Sequence, residues 1–209
     1  MKPDAWHNGP GRSRRRLGIA LAACVALGAV QPPTAALAQT PLEEARQHLF
    51  SGRYDEARDA LRPLVRRGDG EARILLARTL RETGRYEDAL EVLPAGEPPL
   101  ARTRGEILRE LGREDEAAAA FQASLAGGAP DAEVARLRLA EQAFQRGERE
   151  EAMAVFDGFI DLYNGSRRLS GEELLAVARA VTYLGRGNSA LFQDALRAYD
   201  EAAERLPAG

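Results

Sequence analysis

From residue 39 onward, small and bulky apolar residues return at fixed places within a polar frame. The frame is clearest in Gly52-Arg53-Tyr54-Asp55-Glu56-Ala57. It returns as Gly84-Arg85-Tyr86-Glu87-Asp88-Ala89, as Gly112-Arg113-Glu114-Asp115-Glu116-Ala117 and as Gly147-Glu148-Arg149-Glu150-Glu151-Ala152. Successive glycines stand 32, 28 and 35 residues apart. Seven residues before each glycine sits a small residue (Ala45, Ala77, Gly105, Ala140), and four after each alanine a bulky apolar one (Leu61, Leu93, Phe121, Phe156). This order predicts two helices per unit. The glycine closes the first helix, where a left-handed backbone suits a residue without Cβ. The acidic cluster fills the first turn of the second helix and complements its dipole. The alanine sits where two helices cross closely, so a larger side chain would push them apart.

The spacing predicts helices near 41–51, 54–66, 70–83, 86–94, 100–111, 115–126, 131–146, 149–164, 171–184 and 190–205. Thr40 with Pro41 and Glu43, and Ser170 with Glu173, have the form of helix-opening capping boxes. Segments 94–99 and 163–169 read as longer loops. A fifth unit is altered: Gly185 is expected to end a helix, but the matching Ala195 comes ten residues later, after the turn residues Gly187-Asn188-Ser189. Ala195, Tyr199, Ala202 and Pro207 then resume the spacing.

Small residue, glycine, alanine and bulky residue over four consecutive units resemble the tetratricopeptide repeat (TPR) pattern, whose period is about 34 residues. A plain four-helix bundle needs apolar periodicity but no recurring glycine–alanine offset. The resemblance implies an all-α, right-handed α-solenoid of about five helix pairs, with units near 39–69, 70–97, 98–130, 131–168 and 169–209. It also implies that the first helices of the pairs line a concave groove that holds a peptide or a neighbouring domain. Carried over by position, the groove shows Leu42, Arg46, Leu49 and Phe50, then Ile74, Arg78 and Arg81. Arg102, Glu106 and Arg109 follow in the third unit, and Arg138, Glu141 and Phe144 in the fourth. The carboxylate-clamp members of the family carry asparagines at central groove positions, where this chain has Arg46, Arg78, Glu106 and Glu141. Arginines at 46, 78, 102, 109 and 138 on one side would suit an acidic partner segment.

Residues 1–38 break this pattern. Basic residues Arg12 and Arg14 to Arg16 precede an apolar run from Leu17 to Val30, then Pro32-Pro33 and Ala36-Leu37-Ala38. This is the layout of a bacterial signal peptide cut before Gln39. The apolar run is short for a bilayer-spanning helix, which needs about 20 residues. Two variants compete with it. Leu21-Ala22-Ala23-Cys24 resembles a lipobox, which would make Cys24 an acylated anchor; Ser13-Arg14-Arg15-Arg16-Leu17 resembles a twin-arginine signal. Either way the expected destination is the periplasm or the exterior, or the membrane through a lipidated Cys24 or an uncleaved signal.

Cleavage would remove five of the 29 basic and one of the 32 acidic residues, leaving a net charge of −7. That balance argues against nucleic-acid binding by phosphate neutralisation. It would also remove the single cysteine, so stability must come from helix packing rather than disulfides. His48 is then the remaining histidine. Nucleophilic triads and common zinc sites need more than this, so no metal, cofactor or catalytic role is expected. The carboxylates read as helix first turns and partners of arginines. Asn164-Gly165-Ser166 reads as a plain turn.

Two functions fit the sequence. One is an exported scaffold binding a peptide or protein domain in the groove. The other is the N-terminal arm of a longer bacterial envelope protein, with a peptidase-like domain downstream. The stretch from Phe159 to Tyr199 resembles the early repeats of such proteins.

Overall fold

The computed structural model describes residues 40–128, 132–165 and 167–206. The expected signal segment with Cys24 and Gln39, and the expected handover at Pro207, lie outside these residues. Among the described residues ten helices follow one another: α1 (Pro41–Phe50), α2 (Tyr54–Arg66), α3 (Gly70–Glu82), α4 (Tyr86–Glu91), α5 (Pro98–Glu110), α6 (Glu114–Ala126), α7 (Ala132–Arg146), α8 (Arg149–Asn164), α9 (Gly171–Gly185) and α10 (Leu191–Arg205). Among the described residues there is no strand. Each helix packs on the one before it. Beyond these neighbours, contacts link α1 to α3, α3 to α5, α5 to α7 and α7 to α9. The odd-numbered helices therefore form an inner layer and the even-numbered ones an outer layer, which is the architecture of an α-solenoid.

The recurring residues do what their chemistry requires. Gly52, Gly84, Gly112 and Gly147 have φ of 71°, 73°, 71° and 91°. At the end of α1 the amide of Gly52 donates to the Leu49 carbonyl at 3.1 Å, and that of Arg53 to His48 at 2.9 Å. This double bond closes the helix on its own orphan carbonyls, and it repeats at Gly84, Gly112 and Gly147. The next helix then starts without a side-chain cap, at Arg53, Arg85, Arg113 and Glu148. Acidic residues in its first turn supply the complementary charge, and the Arg85 and Arg113 side chains bond to Asp88 and Glu116 three residues on.

Ala57, Ala89, Ala117, Ala152 and Ala195 are all buried. Leu61, Leu93, Phe121 and Phe156 are buried four residues later, each side chain contributing roughly 1.5–3 kcal/mol of hydrophobic stabilisation. Two apolar clusters result. One runs from α1 to the start of α7, and the other from α7 to α10. Helix α7 joins them by turning Ala135 into the first and Leu137 and Ala140 into the second. Both capping boxes form as expected, at Thr40/Glu43 and Ser170/Glu173.

Gly185 ends α9 as expected, though without the left-handed backbone of the four earlier glycines; it is buried, and the Phe192 ring lies 2.7 Å from where its Cβ would be. Its small size serves ring packing instead of backbone conformation. Pro98 and Pro99 open α5 rather than belonging to a loop, since proline suits a first turn whose N–H groups have no acceptor. Tyr163 and Asn164 likewise finish α8, and the Tyr163 hydroxyl donates to Glu201 on α10 at 2.6 Å.

Candidate functional site

The inner layer brings side chains of α1, α3 and α5 together in a cleft of about 540 Å³. Its apolar wall is Leu49, Phe50, Tyr54 and Leu75; its charged groups are Arg46, Arg78, Arg81, Arg102, Glu82, Glu106 and Glu172. Phe50, the last residue of α1, is 61% exposed. A smaller cavity of about 140 Å³ lies beside it between α5, α7 and α9, sharing Arg102, Glu106 and Glu172 and adding Arg138, Arg179 and Leu175.

Most of the arginines are already matched by the protein's own carboxylates. Arg46 pairs with Glu71 of the next unit. Arg81 reaches Glu82 at 2.7 Å and Glu110 at 3.9 Å. Arg102 holds Glu106 at 3.2 Å and, across the groove on α9, Glu172 at 3.1 Å. Arg138 and Arg179 converge on Glu141 at 2.9 and 2.6 Å, and Glu141 is 5% exposed. Arg78 differs. It lines the cleft half-buried, and among the described residues no carboxylate stands within ion-pair distance. Burial and the neighbouring Arg102 push its pKa down, against the pull of Glu172 and Glu106. An arginine starts so far above neutrality that the side chain remains a cation.

Of the residues expected to form the groove, Arg46, Phe50, Arg78, Arg81, Arg102 and Glu106 come together in the larger cleft. Arg138 lines the smaller one. Arg109 is exposed on α5 and lines neither. Glu141 is spent inside its ion triad. Phe144 belongs to the core between α7 and α9, edge-on to Tyr183 at 5.2 Å and tilted on Phe156 at 6.3 Å. Leu42 and Ile74 pack against the first apolar cluster. The residues of the larger cleft not expected from position are Tyr54, Leu75, Glu82 and Glu172. Tyr54 carries a local signal as the first residue of α2. Glu172 carries none, because it reaches α5 only through the curvature of the whole inner layer.

His48 is half-buried, with Nε2 3.8 Å from Glu44. Among the described residues no three His, Cys, Asp or Glu side chains gather as metal ligands would. No described helix is long and apolar enough to cross a membrane.

The tetratricopeptide repeat family model matches residues 42–97 and 102–167, more than half of the chain. Among curated protein sequences, none matches. Among solved structures, the nearly identical TPR-like repeats of a kinesin light chain from Podosopora anserina superpose with a TM-score of 0.53 at 16% identity, over 81% of this chain and 96% of that one. A crystal structure of MamA gives a TM-score of 0.48 at 19% identity, over 80% and 95%. At 16% identity the likeness to the kinesin light chain repeats speaks for the fold. Together with the ten stacked helices and the recurring glycine–alanine frame, the family match establishes that the chain belongs to the tetratricopeptide repeat family.

Proposed function

We propose that this protein is an exported, non-catalytic scaffold that holds a peptide or protein domain in the groove of its inner helix layer. The observation that carries this reading is the open cleft between α1, α3 and α5. It combines an exposed aromatic edge at Phe50 with fixed charges, the mixture that recognition surfaces use. The TPR fold is typical of protein–protein interaction scaffolds, and stacked helix pairs offer an extended concave surface. Export rests on the N-terminal pattern of basic residues, apolar run and small-residue cleavage site.

Cross-linking the tagged full chain in its own envelope fraction, then comparing it with a Phe50→Glu variant, tests the scaffold reading. A partner recovered with the first and lost with the second supports it. Equal recovery moves the interface away from the cleft. Sequencing the N-terminus of the purified protein tests export: a start at Gln39 supports signal-peptide cleavage, an acylated Cys24 supports a lipoprotein, and an intact Met1 removes both.

Helix α10 favours a second reading, in which the repeats are an arm of a longer envelope protein with a peptidase-like domain. Its exposed apolar side is formed by Phe192, Leu196 and Tyr199, at 42%, 55% and 36% exposure. Ala202 and Leu206 do not belong to this side: Ala202 is buried against α9 and Leu206 packs at Gly171. The three outward residues form a stripe that a further repeat or domain would cover. A reading frame continuing past Gly209 into a catalytic domain is the result that would support it.

A further inference from the structure

The charges of the cleft nearly cancel, and where they do not is informative. Four guanidinium groups line it: Arg46, Arg78, Arg81 and Arg102. Three have carboxylate partners, on Glu71, on Glu82 and Glu110, and on Glu106 and Glu172. The fourth, Arg78, sits half-buried between them with none among the described residues. A guanidinium withdrawn from water without an anion is costly, and it offers a planar fork that fits a carboxylate with two parallel hydrogen bonds. Among the described residues Arg78 is thus the lining guanidinium with no carboxylate at ion-pair distance. Glu82, Glu106 and Glu172 form the rest of the polar wall, so a strongly acidic segment would meet repulsion beyond its first carboxylate. Within the same cleft, Phe50, Leu49 and Tyr54 present apolar surface.

We propose that the cleft docks an extended peptide segment carrying one side-chain carboxylate beside a bulky apolar residue, the carboxylate on Arg78 and the apolar side chain against Phe50. This rests on the groove reading above and adds the chemistry of the partner. The carboxylate belongs to a side chain within the segment rather than to a chain end: the cleft also holds Phe50 of α1, and the smaller cavity toward α7 and α9 adjoins it at Arg102, Glu106 and Glu172. Glu172 sets the limit of the site: its carboxylate reaches across from α9 and lowers the attraction that an incoming anion feels.

The test is an NMR titration of the isotope-labelled protein with three blocked or unblocked probes. The first is acetyl-Gly-Leu-Asp-Gly-amide, the second has Asn in place of Asp, and the third is acetyl-Gly-Leu-Gly with a free C-terminus. The first should shift resonances of cleft residues and bind about tenfold more tightly than either of the others. Arg78→Gln should erase that preference, and Arg78→Lys should weaken it by severalfold, because a point charge lacks the fork. Glu172→Gln should tighten binding of the first probe. Circular dichroism of each variant should match the parent; if Arg78→Gln loses helix, Arg78→Lys and Glu172→Gln still decide. Equal binding of the Asn probe, or none of the probes at about 5 mM, overturns the proposal and leaves the groove open to other partners. Preference for the free-acid probe overturns it in favour of a chain end. Shifts confined to α2, α4 and α6 would instead remove the groove reading itself.

Discussion

The ring of Phe121 on α6 lies 2.7 to 3.0 Å from the point where a Cβ on Gly105 of α5 would stand. Real Cβ atoms do not approach so closely, so the aromatic ring and the missing side chain are one feature of the crossing. The equivalent positions in the first two units hold alanine with leucine: Ala45 with Leu61, and Ala77 with Leu93. Phe192 and Gly185 repeat the third unit's solution between α10 and α9. Gly105→Ala should therefore overpack and destabilise by about 1–3 kcal/mol. Adding Phe121→Leu, which restores the combination of the first two units, should recover about 1 kcal/mol relative to the sum of the two single losses. Denaturant melts of the four proteins measure this. Strict additivity would mean that the ring and the glycine do not share their space.

The alanine of the frame gives a second packing test. Ala89 and Ala152 are fully buried, and each begins the hydrogen-bonded body of its helix by donating to the carbonyl of Arg85 or Glu148. Leucine at either position should separate α4 from α3, or α8 from α7, at a cost of about 1–3 kcal/mol. Thermal midpoints that do not fall would place the close crossings elsewhere.

The fold was legible because its signals are local. A glycine in left-handed backbone, an acidic first turn and a small residue at a crossing are each decided within a few residues. All ten helices accordingly lie within three residues of their predicted ends. The errors fall where distance intervenes. Gly185 ends its helix, but the reason for a glycine there shows only once Phe192 is seen against it. Phe144 looks like a groove residue until Phe156 and Tyr183 surround it. In the first three units Arg46, Leu49, Phe50, Arg78, Arg81, Arg102 and Glu106 reach the cleft as their helical positions imply, while Leu42, Ile74 and Arg109 do not. The groove was not legible at Glu172, whose approach to Arg102 sums small rotations over several units, nor in which arginines their own neighbours neutralise.

Burial separates the ion pairs that matter from those that decorate the surface. Glu141 takes both Arg138 and Arg179 while 5% exposed, tying α7 to α9. Asp59 and Arg62 form a comparable pair at 3.4 Å with side chains 67% and 54% exposed. Glu141→Ala should cost about 1–3 kcal/mol, because it leaves Arg138 without its acceptor. Asp59→Ala should cost about 0–1 kcal/mol. Urea denaturation at two salt concentrations checks both magnitudes and should show the larger loss to be the less salt-sensitive. Similar losses at the two sites would contradict the ranking by burial.

Glu173 makes stability depend on acid. Burial opposes its charge, but hydrogen bonds from the Ser170 backbone amide, the Arg167 guanidinium and the Ser170 hydroxyl outweigh burial and hold the carboxyl below its ordinary value. The exposed counterpart at the start of the first helix, Glu43, is also lowered, chiefly by the Thr40 backbone amide. A carboxyl with a lower pKa in the folded than in the unfolded chain stays ionised longest in the native state. As pH falls below the unfolded value of about 4.3, the unfolded chain takes up the proton first, and the equilibrium shifts toward it. The stabilisation is thus fully present above that value and is lost as pH drops through the folded one. Glu173→Gln removes the titrating group while keeping the shape of the capping box. The stability gap between parent and variant should be constant from neutrality to about pH 5 and narrow steadily below it. A gap that held its size down to about pH 3 would show that the carboxyl's charge contributes nothing to holding α9 in place.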